Sequence, residues 1–178
     1  EAYSEAQEYA IEAEPYLEGM ISFTYVAIFH FYDALTQLAL YDNLSKIKQK
    51  QAMKKVKAHQ KKMKKWATHA PMNHQHRYAL VEAERARVLG KDAEAREYYD
   101  QAIDLARKNE YINDGALANE LAGRFYLAKG RDQIAQLYLR QAHLSYGEWG
   151  ALAKVKQLET DYPHVFAQPK RQTPSTVR

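Results

Sequence analysis

The stretch LGKDAEAREYYDQA at residues 89–102 recurs 40 residues later as KGRDQIAQLYLRQA at 129–142. Gly90 aligns with Gly130, Asp92 with Asp132, Ala95 with Ala135, Tyr98 with Tyr138, and Gln101-Ala102 with Gln141-Ala142. The shared core is an alanine, an aromatic or leucine four residues on, and a second alanine three after that. Small residues seven apart let one helix lie close against another, and the large residue between them fills the gap. A fixed period of this length with helix–turn–helix content means stacked hairpins. Ala6, Ala10 and Ala13 form a weaker copy, and Ala52, Val56 and His59 a degenerate one. The competing reading is a non-repeating helical bundle.

Helical periodicity runs through the rest of the chain, and no alternating strand pattern appears. Pro15 ends the first helix near Ala13, and a second runs from about Met20 to Tyr41. Ser45 can cap the helix that follows, which Ala70-Pro71 terminates. Asn73, Asp92 and Asp132 are read as further caps, and Gly90 and Gly130 as left-handed helix ends. Breaks are expected at Asn109, at Asn113-Asp114-Gly115, and at Gly147 and Gly150 around Trp149. The fold class is all-α, a right-handed α-solenoid of antiparallel hairpins, tetratricopeptide-like with a period of 40 rather than 34. Residues 1–166 form the helical domain, and the proline-containing 167–178 a flexible linker or tail. The chain starts at Glu1, already in helical register, and is read as a piece of a longer polypeptide.

Charge is polarised along the sequence. Residues 1–42 hold eight acids and no Lys or Arg, whereas residues 43–81 hold ten Lys and Arg77 and no acid. A stripe of glutamates (Glu1, Glu5, Glu8, Glu12) precedes a helix in which Lys54, Lys55, Lys57, Lys61, Lys62, Lys64 and Lys65 form a candidate polyanion face. If residues 1–17 and the lysine helix are the second helices of neighbouring hairpins, they lie side by side and partly neutralise one another.

The segment Gly19 to Tyr41 is apolar, but His30, Asp33, Thr36 and Gln37 interrupt it, so it reads as a buried helix and not a membrane span. His30 is read as a satisfied core histidine. There is no cysteine, which excludes disulfides and thiolate metal sites and fits a cytoplasmic protein. His69, His74 and His76 have no carboxylate near them in sequence and read as a polar loop, not a metal site. Ser4, Ser22, Ser45, Ser145 and Ser175 sit in no nucleophile motif. Gly90-Lys91 lacks the spacing of a phosphate loop, and His76-Arg77-Tyr78 lacks a catalytic aspartate. No catalytic, cofactor or metal residue is therefore assigned.

The segments from Lys54 to Gly90 and from Ala116 to Pro163 resemble the helical repeat region of large bacterial, especially cyanobacterial, multi-sensor signalling multikinases. The resemblance covers roughly residues 1–166. It implies a non-catalytic regulatory segment between an upstream serine/threonine kinase and ATPase and a downstream GAF sensor and histidine kinase. ATP and Mg would be bound only in those other domains. In such solenoids the first helix of each hairpin lines the concave face, which makes Arg77, Glu84, Arg87, Glu120 and Arg124 candidate partner-binding residues. Partners would be other domains of the same polypeptide or a second protein, with no specific nucleic acid and self-association through the N-terminal helix. The alternatives are a free-standing helical-repeat adaptor, which would bind an acidic peptide or nucleic acid through the lysine face, and an unrecognised helical enzyme.

Overall fold

The computed structural model describes residues 2–19 and 23–166, and every element in that range is helical. The order is α1 (Ala2–Ala13), a 3-10 segment (Glu14–Gly19), α2 (Phe23–Leu40), a short 3-10 turn (Tyr41–Asn43), α3 (Lys46–His69), α4 (Pro71–Val88), α5 (Asp92–Lys108), α6 (Ile112–Ala128), α7 (Asp132–Trp149), α8 (Leu152–Asp161) and α9 (Pro163–Phe166). From α1 to α8 each α-helix packs on the next, and α2, α4 and α6 also touch in succession. The expected tail at 167–178 and the first turn of the second helix at 20–22 lie outside the described residues.

The repeat forms two matching hairpin arms. Ala95, Tyr99 and Ala102 of α5 are buried, as are Ala135, Leu139 and Ala142 of α7. Gly90 (φ 70°) and Gly130 (φ 66°) close the preceding helices in the left-handed region. The amide after each glycine returns to the carbonyl five residues back, Lys91 to Ala86 and Arg131 to Tyr126, both at 2.9 Å. That is the helix-terminating pattern a left-handed glycine permits.

Several local expectations are corrected. Asp92 and Asp132 are the first residues of α5 and α7, after Lys91 and Arg131, and no side-chain cap bond is made at either end. Their carboxylates sit in the first turn, where the helix dipole favours them. Asp92 also takes Lys129 Nζ at 2.9 Å, linking one repeat to the next. Asn73 lies inside α4, which starts on Pro71, and its Oδ1 accepts from the Tyr111 hydroxyl at 3.0 Å. Asn113, Asp114 and Gly115 belong to the first turns of α6, and the break falls at Asn109–Tyr111 instead. α7 continues through Gly147 to Trp149 and ends on left-handed Gly150.

The larger correction concerns α1. It packs on α2, and none of its residues is buried. Its alanines are therefore not a buried copy of the repeat. The neighbourhood expected between α1 and the lysine helix is reduced to one ion pair among the described residues, Lys55 Nζ to Glu14 Oε2 at 3.2 Å, made from the 3-10 segment.

Candidate functional site

α1 borders a groove lined by α2, α4 and α6, to which α7 and α8 add Tyr146, Trp149 and Lys154. The Tyr3 hydroxyl is 3.2 Å from Arg124 Nη1, and Gln7 Nε2 donates to Gln37 Oε1 at 3.3 Å. Between α1 and these helices remains a largely apolar space of about 510 Å³, lined by Tyr32, Leu35, Ala39, Leu117, Leu121 and Trp149 among others.

Two buried carboxylates stand in the walls. Glu84 accepts from the Tyr99 hydroxyl and from Arg87 Nε (2.9 Å), and Arg87 reaches on to the Leu38 carbonyl and Asp42 (both 3.2 Å). Glu120 accepts from the Tyr146 hydroxyl (2.7 Å), from Lys154 Nζ (2.9 Å to Oε2) and from Arg124. Each carboxylate is tied to a phenol from the second helix of its own hairpin. Burial pushes the Tyr99 and Tyr146 phenols well above their usual range, and the neighbouring glutamates add to it, so both remain donors. Desolvation disfavours the Arg87 and Arg124 cations, but Glu84 and Glu120 outweigh it and raise both.

Four of the five candidate groove residues therefore converge. Glu84, Arg87, Glu120 and Arg124 all line the groove or its continuation. The glutamates are 4% and 2% exposed and are each paired with an arginine on their own helix. Arg77 is placed apart. Its Nε donates to buried Asp114 at 2.7 Å, and its guanidinium lies over Phe31 and Tyr111, 5.8 and 5.5 Å from the ring centres. His76 Nε2 meets the same Asp114 oxygen at 2.8 Å. Arg77 and His76 thus lock α4 to α6.

α3 presents two charged sides. On one, Lys55 bridges Glu14 and buried Asp33 (2.9 Å), and Lys62 Nζ lies 3.3 Å from His30 Nε2. His30 Nδ1 is 2.7 Å from His59 Nδ1, and His59 Nε2 is 2.8 Å from Asp33 Oδ2. An ammonium can only donate. With His30 Nε2 accepting, its Nδ1–H donates to His59 Nδ1, and His59 Nε2–H donates to Asp33 Oδ2. Burial, with His59 and Lys62 nearby, lowers His30 to about 4. Burial alone would raise Asp33, but hydrogen bonds from His59, Gln37 and Lys55 win and lower it. His30 is the satisfied core histidine expected, with its partners now visible.

The other side is different. Lys54, Lys57, Lys61, Lys64 and Lys65 are exposed, and among the described residues none makes an ion pair. Lys46 and Lys50 join them. At 100° per residue the seven fall within about 100° of arc and span about 28 Å. Lys55 and Lys62 do not belong to this stripe.

His69 is exposed, while His74 stacks at a tilt on Trp66, 6.1 Å between centres. Among the described residues no group of three or more His, Asp or Glu could hold a metal ion, and no helix is long and apolar enough to cross a membrane.

Comparison with known proteins finds one informative similarity. The chain is 40% identical over 62 residues to hybrid signal transduction histidine kinase G of Dictyostelium discoideum. The aligned stretch is 35% of this chain and 2% of that protein. No family model and no solved structure matches. The chain is thus helical throughout its described elements and has a partial similarity to a signal-transduction kinase.

Proposed function

We propose that this chain is a non-catalytic regulatory segment of a signalling kinase, a right-handed tetratricopeptide-like solenoid whose groove docks a helix from another domain or protein. The similarity to a hybrid histidine kinase carries the reading. The groove supports it, because it already accommodates a helix, α1, without filling the apolar space beneath. Arg87 and Arg124, held by buried glutamates, offer guanidinium donors at its rim. The finer assignment, a repeat region between a serine/threonine kinase with its ATPase and a GAF sensor with its histidine kinase in a cytoplasmic bacterial multikinase, rests on the sequence resemblance. ATP and Mg belong to those other domains.

Two titrations test it. Mg-ATP added to the isolated chain in a calorimeter should give no saturable heat, because the sequence carries no phosphate-loop or kinase motif. The chain added to a separately produced hybrid histidine kinase catalytic module should change the rate of autophosphorylation. Micromolar Mg-ATP binding, or a rate the chain leaves untouched, contradicts the proposal. The second reading, an adaptor binding acidic peptides or nucleic acid, is favoured by one observation, the exposed lysine stripe, which makes no ion pair among the described residues.

A further inference from the structure

The lysine stripe of α3 faces outward along its whole length, and so does an acidic stripe on α1. Tyr3 and Gln7 turn toward the groove. Glu5, Glu8 and Glu12 fall within about 60° on the opposite side, all exposed and without an ion pair among the described residues. Glu5, Glu8 and Glu12 are spaced three and four apart, and so are Lys54, Lys57 and Lys61. Two helices laid side by side would therefore bring successive carboxylates against successive ammonium groups over about two turns.

Within one copy these stripes do not meet. α1 is held on α2, with its acids turned away from the protein, and the contact between the two charged regions is the Glu14–Lys55 pair. A nucleic-acid duplex is the other polyanion to weigh. The stripe carries no aromatic for stacking and only the point charges of lysine, with no side chain suited to reading bases. The acidic face of α1 matches it in sign, spacing and shape.

We propose that the lysine face of α3 docks the outward acidic face of α1 from a second copy of this chain. The contact pairs two different surfaces, so two copies that make it reciprocally close as a two-fold dimer, and copies that make it once each form rings or chains. Being built from exposed charges, it is screened by salt.

Sedimentation velocity of the full chain tests this. At about 20 mM salt the weight-average sedimentation coefficient should rise with protein concentration, and at about 500 mM salt, where the Debye length is only about 4 Å, it should fall to the monomer value. The variant Lys54→Glu, Lys57→Glu, Lys61→Glu, Lys64→Glu should be monomeric at low salt. So should Glu5→Lys, Glu8→Lys, Glu12→Lys. Mixed in equal amounts the two should associate, because each supplies the surface the other has lost. Neutralisation of the same lysines to Gln should weaken association without reversing it, and circular dichroism checks that each variant is helical. Three results overturn the proposal: monomers at every concentration in low salt, association indifferent to both reversals, or a mixture that stays monomeric. A labelled 20-base-pair duplex completes the test. Binding tighter than about 1 µM at about 150 mM salt, lost in the lysine reversal, would assign the stripe to nucleic acid instead.

Discussion

The α6–α7 hairpin and the outer face of α3 handle charge in opposite ways. In the hairpin, one carboxylate, Glu120, is 2% exposed and takes a phenol, an ammonium and a guanidinium. On α3, seven ammonium groups stand in a row with no counter-ion from the described residues. The first arrangement fixes helix against helix, because a buried carboxylate is tolerable only when its acceptors are filled. The second does nothing for the fold, since like charges along a helix repel. A chain that shields its charge in one place and displays it in another separates what holds it together from what it presents to others.

The largest effect expected on this contrast comes from removing the buried anion. Glu120→Gln leaves Arg124 and Lys154 without their shared partner and Tyr146 without its strong acceptor. Breaking a fully buried pair costs about 3–5 kcal/mol; because both cations reach water, about 2–4 kcal/mol is expected here. Urea denaturation measures it. An equal loss from Glu8→Gln on α1 would erase the contrast.

The next effect is steric. A Cβ on Gly123 would lie 2.7 Å from Leu139 Cγ and 3.3 Å from the Ala135 carbonyl oxygen. Gly123→Ala should therefore cost about 1–2 kcal/mol, since overpacking outweighs the gain of about 1 kcal/mol in helix propensity. Ala102→Leu, at the matching close approach of α5, should lose about 1–3 kcal/mol. Thermal melts check both, and a neutral Gly123→Ala would mean that α6 and α7 are not so close.

The histidine chain on the inner side of α3 gives a pH signature that the outer side lacks. Unfolded His30 takes its proton near pH 6.5, and folded His30 only near about 4. Between those values the unfolded state binds more protons, so stability falls as pH falls. A loss of about 1–2 kcal/mol from pH 7 to pH 5 is expected, flattened in His30→Asn. Chemical denaturation at the two pH values measures it, and a slope unchanged in the variant would place the titration elsewhere.

The repeat made much of this legible. Its two copies correctly mark Gly90 and Gly130 as left-handed ends and Ala102 and Ala142 as buried, because small residues and glycines are dictated by local geometry. Gly123 was not legible: its reason is Leu139, sixteen residues away on another helix. The Tyr146–Glu120–Lys154 set was hidden for the same reason, since nothing local distinguishes a glutamate destined for burial from one on a wet face. Helical geometry does separate Lys55 and Lys62 from the outward lysines once the buried side, marked by Val56 and Met63, is located. The position of α1 is not legible in the sequence, because Pro15 marks where the helix stops but not the 3-10 segment Glu14–Gly19 that follows or the helix on which α1 packs.

Melting Glu120→Gln beside the quadruple reversal Lys54→Glu, Lys57→Glu, Lys61→Glu, Lys64→Glu tests the separation of the two kinds of charge most directly. The melting temperature of the first should fall by several degrees, as about 2–4 kcal/mol requires in a domain of this size. For the second a change within about 0.5 kcal/mol is expected, because the four side chains are exposed and a row of glutamates repels much as the row of lysines does. A reversal that unfolds the chain while Glu120→Gln leaves it untouched would show that the lysine face holds the structure together, and would contradict the account.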